Sequence, residues 1–142
     1  MLVETVTHNE KETGGLAASL AKECKPGDVF ALIGELGCGK TLFTKFFAAE
    51  LGITEDITSP TFNLVEEYEG TLMLYHFDLY RIEHDDEFDM LAFEEEYWYG
   101  EGVSLIEWAD RALSRLPEHT VIVRFDYIDA SSRRITVEYP DN

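Results

Sequence analysis

Short runs of apolar residues alternate along this chain with stretches of helical periodicity. Residues 29–33 (Val-Phe-Ala-Leu-Ile) form a continuous apolar run within a predicted strand, 28–33, and a second, mostly apolar run occupies residues 103–106. Runs of this length, bounded by turn residues, are typical of strands that are buried on both faces of a parallel sheet. Further strands are predicted over residues 3–6, 121–128 and 133–139.

Four other segments have the patterns of helices. The first helix follows Thr7 and Glu10, whose spacing is that of a capping box, and it ends near Pro26. One face of this helix is apolar and carries Leu16, Ala17, Leu20 and Ala21. The second helix spans residues 40–51, with Gly52 at the position of a C-terminal cap. An acidic segment, 85–96, and a short segment, 109–116, complete the predicted helices.

A β-hairpin is predicted where residues 62–68 and 71–77 flank the turn residues Glu69 and Gly70. Internal repeats, low-complexity tracts and Pro/Ser-rich linkers are absent from the sequence, so we expect a single domain over residues 1–142. The alternation of strands and helices, together with hairpins, predicts an α/β fold with a mixed, largely parallel sheet.

The strongest chemical signal is the segment 34–41, Gly-Glu-Leu-Gly-Cys-Gly-Lys-Thr, which fits the pattern G-x-x-x-x-G-K-[ST] in full. Glycines let successive backbone N–H groups point at phosphate oxygens, and the following helix adds the positive end of its dipole. Lys40 is expected to reach the β- and γ-phosphates, and the Thr41 hydroxyl to ligate Mg²⁺. A chance match is the alternative, but the position between a buried strand and a helix favours a three-layer fold of the P-loop NTPase type.

The residues of this segment that we expect to contact a nucleotide are Glu35, Leu36, Gly37, Cys38, Gly39, Lys40, Thr41 and Leu42. Cys38 is either a small filler residue or, because backbone amides and a lysine lower the pKa of a thiol, a redox-sensitive one. Leu42 can offer only its backbone N–H, which we expect to face the α-phosphate.

A P-loop needs a carboxylate at a neighbouring strand end to hold Mg²⁺, directly or through water. Glu107 follows the predicted strand 103–106, and Asp78 ends the segment 74–78. The two are not exclusive, since one carboxylate can lie near Mg²⁺ while the other orients an attacking water. Either residue can also be an ordinary carboxylate at the end of a strand.

Three more residues have candidate roles near the phosphates. Thr61 lies after the P-loop helix in the segment 58–61, where a hydroxyl can approach the γ-phosphate; the alternative is turn chemistry around Pro60. His76 is predicted to be a structural neighbour of Asp78 rather than a catalyst. Trp108 either packs on the core or shields the site.

The charge and composition of the chain limit the kinds of partner that we expect it to bind. The chain has 29 acidic residues against 11 Lys and Arg, which gives a formal net charge of −18. Because nucleic-acid binding relies on Lys and Arg at phosphates, we expect no direct binding of tRNA or DNA by the chain alone. The charge indicates either solubility only or a basic protein partner. Two cysteines without a CxxC arrangement, no apolar run of membrane-spanning length and no secretory pattern predict a cytoplasmic protein without membrane contact.

Four blocks of this sequence together resemble the TsaE (YjeE) family. They are residues 34–41, Ser-Pro-Thr-Phe at 59–62, His-Phe-Asp-Leu-Tyr-Arg at 76–81 and Ile-Glu-Trp at 106–108, and the similarity extends from about residue 7 to 139. The second and third blocks are more specific than the phosphate loop. Cys38 stands where the family usually has Ala, and Leu42 stands where it usually has Thr, so position 42 lacks a hydroxyl for the phosphates.

The resemblance implies an ATPase that is needed to make threonylcarbamoyladenosine beside the anticodon of tRNA. It implies ATP and Mg²⁺ as cofactors and the proteins TsaB and TsaD as partners, of which TsaD carries out the transfer to tRNA. Thr41 and Glu107 would be the Mg²⁺ ligands, and Lys40, Asp78 and Thr61 would be the catalytic residues.

The resemblance also implies where the adenine lies, between the region near Thr7 and the late loop that contains Ser132 and Arg134. The guanine-reading signature N-K-x-D is absent from the sequence, which favours ATP over GTP. Two alternatives remain open: a P-loop small-molecule kinase, and a nucleotide-dependent binding module in which hydrolysis is incidental.

Overall fold

One mixed sheet and two helices make up the described part of the chain. The computed structural model describes residues 1–35, 39–58, 65–84, 97–98 and 100–140. The strands are β1 (Leu2–Thr7), β2 (Val29–Ile33), β3 (Val65–Tyr68), β4 (Leu74–Asp78), β5 (Val103–Glu107), β6 (Val121–Tyr127) and β7 (Arg133–Glu138). The helices are α1 (Glu10–Glu23) and α2 (Lys40–Glu50).

The sheet is parallel in its centre and antiparallel at both edges. Its strand order is β1-β7-β6-β2-β5-β4-β3. The strands β6, β2, β5 and β4 are parallel to one another, whereas β7 pairs antiparallel with both β6 and β1, and β3 pairs antiparallel with β4. The predicted α/β fold with a mixed sheet is therefore confirmed, and the carboxyl ends of β2, β5 and β4 meet at one edge of the sheet.

The buried strand β2 separates two apolar clusters. Phe30 and Leu32 belong to the cluster that packs under α1 and α2, whereas Val29 and Ala31 belong to the cluster on the opposite face. In the described residues the opposite face is covered by residues 97–98 and by short turns after β5. The continuous apolar run in β2 thus reflects burial on both sides, as predicted.

The predicted helix over residues 109–116 is wrong in type. The segment forms two single 3₁₀ turns, Ala109–Arg111 and Leu113–Arg115, separated by Ala112 with φ −144° and ψ 30°. Ala109 and Ala112 are both fully buried against the sheet. The backbone of Ala112 lies outside the helical region, so it interrupts the segment and divides it into two short 3₁₀ turns.

The predicted capping box at Thr7 and Glu10 is also wrong. The N-cap of α1 is Asn9, whose side chain accepts a hydrogen bond from Glu12 N at 2.8 Å, and Glu12 Oε1 accepts one from His8 N. Thr7 cannot cap the helix because its backbone pairs with Arg133 in the sheet and its hydroxyl bonds to Thr13 Oγ1 at 2.7 Å. The capping pattern is the same but begins two residues later.

The remaining predicted elements are confirmed where the structure describes them. β3 and β4 form the predicted hairpin, with Val65 opposite Phe77 and Tyr68 opposite Leu74. Gly52, just after α2, has φ +79°, the left-handed conformation of a glycine cap. The predicted helix 85–96 and residues 62–64 of the hairpin lie outside the described residues. No helix in the described ranges has the length and apolar character of a membrane span.

Candidate functional site

The first turn of α2 begins at the carboxyl edge of the sheet, and its first N–H groups have no acceptor within the helix. Gly39 is its N-cap with φ 105° and ψ 8°, a conformation that favours glycine, and it offers no side chain to bond the first N–H groups. The first turn also contains no acidic residue. N–H groups that have no acceptor within the helix and the positive end of the helix dipole together make this terminus suited to an anion.

Lys40 is the cation at this terminus, and it is almost completely buried. Its ammonium donates a hydrogen bond to Gly34 O and lies 3.5 Å from the centroid of the Trp108 ring. Trp108 has φ 58°, a left-handed conformation that is rare for a bulky residue, and its ring packs edge-on against Tyr80 at 5.0 Å. The two roles left open for Trp108 are both present, since its ring packs against the apolar cluster that contains Ile106 and Ala109 and also covers the ammonium.

Thr41 and Glu107 bring a hydroxyl and a carboxylate together next to this lysine. Thr41 Oγ1 donates to Glu107 Oε1 at 3.4 Å, although the residues are 66 positions apart in the chain. Glu107 ends β5 and is only 3% exposed. The predicted pairing of this hydroxyl with a carboxylate at a neighbouring strand end is therefore present in the geometry.

His76 contacts Glu107, not Asp78 as the sequence suggested. Its Nε2 lies 2.6 Å from Glu107 Oε2, and both side chains are buried. His76 and Asp78, two residues apart on β4, lie on the same face of the sheet, while the hydrogen bond of His76 is made to the adjacent strand β5. The pattern of alternation within one strand could not supply this cross-strand contact.

Asp78 ends β4 directly opposite Glu107 in the parallel register. It is half-buried, and its Oδ1 accepts a hydrogen bond from Tyr80 N at 3.0 Å. Leu79 N then donates to Glu107 O at 3.1 Å, which continues the pairing one residue past the strand. Two carboxylates thus stand side by side at the edge of the sheet where α2 begins.

A cavity of about 320 Å³ adjoins the N-terminus of α2. Asn9 and Thr13 line it from the start of α1, Gly39 and Leu42 from α2, and Ser131 from the β6–β7 loop. Its position between the N-terminal region and the late loop is the one predicted for adenine.

Thr7, Ser132 and Arg134, the residues predicted to contact adenine, are not among those that line this cavity. Thr7 and Ser132 are buried, and Arg134 pairs with Glu4 at 3.0 Å. The lining contains their neighbours instead, including Thr13, which bonds to Thr7. Contact of these three residues with a nucleobase stays a prediction.

Several predicted site residues cannot be placed. Leu36, Gly37, Cys38 and Thr61 lie outside the described residues, whereas Glu35 is exposed just before that gap. The segment 34–41 is therefore described at its two ends, where the Gly34 carbonyl meets the Lys40 ammonium.

The donor set at Thr41 and Glu107 fits Mg²⁺. One hydroxyl and one carboxylate are hard oxygen donors, and Mg²⁺ on nucleotides takes one or two protein ligands while phosphates and waters complete its octahedron. Across the described residues no group of three or more His, Cys, Asp or Glu could hold a metal by itself. The described residues therefore do not form a metal site made only of protein ligands, such as those that hold structural Zn²⁺.

Comparisons with known proteins agree on one family. The family profile described as "Threonylcarbamoyl adenosine biosynthesis protein TsaE" matches residues 7–135. Proteins named "tRNA threonylcarbamoyladenosine biosynthesis protein TsaE" include that of Bacillus subtilis (strain 168), 45% identical over 131 residues that cover 92% of this chain and 81% of the relative. That of Treponema pallidum (strain Nichols) is 42% identical over 133 residues, 93% of this chain and 97% of the relative.

A solved structure has the same fold. The crystal structure of YdiB from Bacillus subtilis aligns with a TM-score of 0.86 at 38% sequence identity, covering 100% of this chain and 88% of that one.

Proposed function

The chain belongs to the TsaE family of threonylcarbamoyl adenosine biosynthesis proteins, and from that premise we propose that it is a Mg²⁺-dependent ATPase supporting threonylcarbamoyladenosine modification of tRNA. The observation that carries the proposal is the convergence at the start of α2. A buried lysine, the N-terminus of a helix and the Thr41–Glu107 pair meet at one edge of the sheet. Each of these parts suits a triphosphate with its metal.

Lys40 is the residue we expect to bind the β- and γ-phosphates. Its ammonium must exchange the Gly34 carbonyl for phosphate oxygens and leave the face of the Trp108 ring, so Trp108 covers the cation only until the anion arrives. The charge-assisted bonds to phosphate are stronger than a bond to a neutral carbonyl, which drives the exchange.

Thr41 and Glu107 are the residues we expect to hold Mg²⁺. When bound, the metal neutralises charge that develops on the phosphate oxygens. Asp78, half-buried beside Glu107, is positioned to accept a hydrogen bond from an attacking water, and we keep Thr61 as the predicted hydroxyl near the γ-phosphate. The cavity next to Leu42 has a position and a volume that suit the adenine base.

We expect the ATPase to act through proteins rather than on tRNA directly. The formal net charge of −18 opposes contact with a polyanion and favours a basic protein surface. TsaB and TsaD are the proposed partners, the cytoplasm is the proposed location, and ATP is favoured over GTP because the sequence has no N-K-x-D signature.

The test is ATP hydrolysis by the purified chain, alone and with TsaB and TsaD. We expect weak hydrolysis that rises with the partners and falls at least about 100-fold in Glu107→Gln and Lys40→Met, because each removes a transition-state contact. Lys45→Met, an exposed lysine on the same helix, is the matched control and should hydrolyse like the wild type. Equal rates with and without partners, or full activity in Glu107→Gln, would contradict the proposal.

The two alternative functions, a small-molecule kinase and a nucleotide-dependent binding module, make different predictions. They differ in which molecule receives the γ-phosphate and in whether hydrolysis is needed for function. A small-molecule kinase transfers phosphate to an acceptor, so ADP would exceed inorganic phosphate in the presence of that acceptor. For a binding module, Glu107→Gln would bind ATP without hydrolysing it and still support tRNA modification in cells. We expect ADP and phosphate in equal amounts, and loss of modification in that variant.

A further inference from the structure

His76 is buried in the middle of β4 and serves none of the roles described so far. Its register partner on the parallel neighbour β5 is Leu105, so the side chains of His76, Leu105 and Glu107 lie on the same face of the sheet. That face is the one covered by α2, whose second residue is Thr41. His76 is therefore placed behind the carboxylate that faces the start of the helix.

The two oxygens of Glu107 are divided between two partners. Oε2 lies 2.6 Å from His76 Nε2, and Oε1 accepts from Thr41 Oγ1 at 3.4 Å. An imidazole N–H can donate to a carboxylate oxygen, which can only accept when ionised, so the two side chains are complementary partners for a hydrogen bond at this distance. The imidazole fixes one oxygen firmly, while the other is held loosely toward the position where a metal ligand is needed.

Only one of the two ring nitrogens of His76 has a hydrogen-bond partner in the described part of the chain. Its Nδ1 is buried without one, and an unsatisfied buried polar atom costs free energy. An apolar side chain in its place would avoid that cost but would leave Glu107 Oε2 buried and unpaired. The favourable contribution of the imidazole is therefore its bond to the carboxylate.

We propose that His76 is the positioning residue for the Mg²⁺ ligand Glu107, an inference that rests on the proposed function. By anchoring Oε2, His76 fixes the rotamer of Glu107 and keeps Oε1 directed at Thr41 and the metal. Residues that hold a metal ligand in this way typically change metal affinity or activity by about 10–100-fold when they are replaced. His76 touches neither nucleotide nor metal in this account.

The test compares His76→Met with His76→Gln, two side chains of similar length of which only Gln can donate a hydrogen bond to Glu107. The readout is the binding of a fluorescent, non-hydrolysable ATP analogue in EDTA and in Mg²⁺, and the ratio of the two affinities measures the metal's contribution. We expect His76→Met to lower this ratio about 10-fold or more while the affinity in EDTA stays near that of the wild type. His76→Gln should recover the ratio to within a few-fold.

Each other outcome has a defined meaning. If wild-type binding is unaffected by Mg²⁺, the proposed function fails and this inference falls with it. If the wild type responds to Mg²⁺ and His76→Met responds equally, only the inference fails. In a Glu107→Gln background His76→Met should cause no further loss, and an additional loss would show that His76 acts by another route. If His76→Met does not fold, His76→Asn, whose shorter side chain cannot span to Glu107, takes its place.

Discussion

Trp108 shows how a single residue can be held in a costly conformation at a functional edge. A left-handed backbone costs a bulky L-residue about 1–2 kcal/mol, and Trp108 adopts it with φ 58°. In return its ring lies over the Lys40 ammonium, with Tyr80 and Arg111 packed around it. Glycine would remove the strain but also the ring that covers the cation and packs against the apolar cluster behind it.

A second residue, Cys24, carries a prediction about pH. It is the half-buried C-cap of α1, and its thiol donates to Ala21 O at 3.0 Å. Burial of the thiol, and to a smaller extent the nearby Asp28 carboxylate, raises its pKa to about 11. In a Cys38→Ala variant, where Cys24 is the one remaining cysteine, alkylation by iodoacetamide should rise about tenfold per pH unit from pH 8 through pH 10 and level off only near pH 11. A plateau by pH 9.5, measured by mass spectrometry on folded protein, would refute the raised pKa.

The raised pKa of Cys24 also fixes the sign of its effect on stability. The folded-state pKa of about 11 exceeds the ordinary value of 9.0, so the unfolded chain loses its proton first as the pH rises. The contribution of this thiol to stability is therefore fully present below pH 9 and is lost as the pH rises toward 11.

At the scale of elements, the packing of α1 on α2 depends on one glycine. Gly14 is buried in α1, and a Cβ added there would collide with the ring of Phe46 on α2, whereas nothing lies within 4 Å of a Cβ added at Gly15. Both positions are helical, so both substitutions gain the same helix propensity. The contact with α2 alone separates them.

The prediction is opposite effects of the two alanine substitutions on the free energy of unfolding. Gly14→Ala should lower it by about 1–3 kcal/mol, the usual cost of overpacking. Gly15→Ala should raise it by up to about 1 kcal/mol through helix propensity. Urea denaturation measures both, and equal stability of the two variants would mean that α1 and α2 do not approach each other as closely as described.

The elements themselves were predictable wherever local pattern decides them. The apolar run of β2, the glycine-bounded start of α2 and the hairpin of β3 and β4 all follow from residues that are neighbours in sequence. The errors arose where tertiary contacts override a local pattern. Thr7 is of a residue type that caps helices, but its backbone pairs with β7 and its hydroxyl bonds to Thr13. Ala109 and Ala112 are buried against the sheet.

The candidate site likewise contains residues that local sequence predicts and contacts that it does not. Lys40 and Thr41 were predictable because their spacing to the glycines is local, and Glu107 because an acid follows an apolar strand. The His76–Glu107 contact depends on the register between β4 and β5, which are joined by a long connection, and no pattern within either strand contains that register. The Trp108 ring over Lys40 depends in addition on a backbone conformation that its sequence does not demand.

At the scale of the whole molecule, the excess of acidic residues sets what the chain can bind by itself. With 29 acids against 11 Lys and Arg, the net charge opposes the approach of polyanions, whereas a helix terminus and Lys40 place positive charge at the start of α2. Such a site is large enough for a triphosphate and far too small for a tRNA backbone.

We therefore predict that the purified chain does not bind tRNA at 150 mM salt, an ionic strength at which attraction between exposed charges extends only about 8 Å. Fluorescence anisotropy of labelled tRNA should show no change up to about 10 μM protein, a concentration at which non-specific binders are already partly bound. A basic nucleic-acid-binding protein serves as the positive control. Salt-sensitive binding in this range would mean that the net charge conceals a basic surface.

The measurement that tests the central claim most directly is calorimetric titration of ATP into the wild type, Glu107→Gln and Glu118→Gln, each in Mg²⁺ and in EDTA. Glu118 is an exposed carboxylate outside the site and serves as the control. We predict that Mg²⁺ tightens ATP binding about tenfold or more, equivalent to about 1.4 kcal/mol, in the wild type and in Glu118→Gln. Glu107→Gln should lose most of this gain while its affinity in EDTA is unchanged. No ATP binding by the wild type, or a full Mg²⁺ effect in Glu107→Gln, would contradict the account.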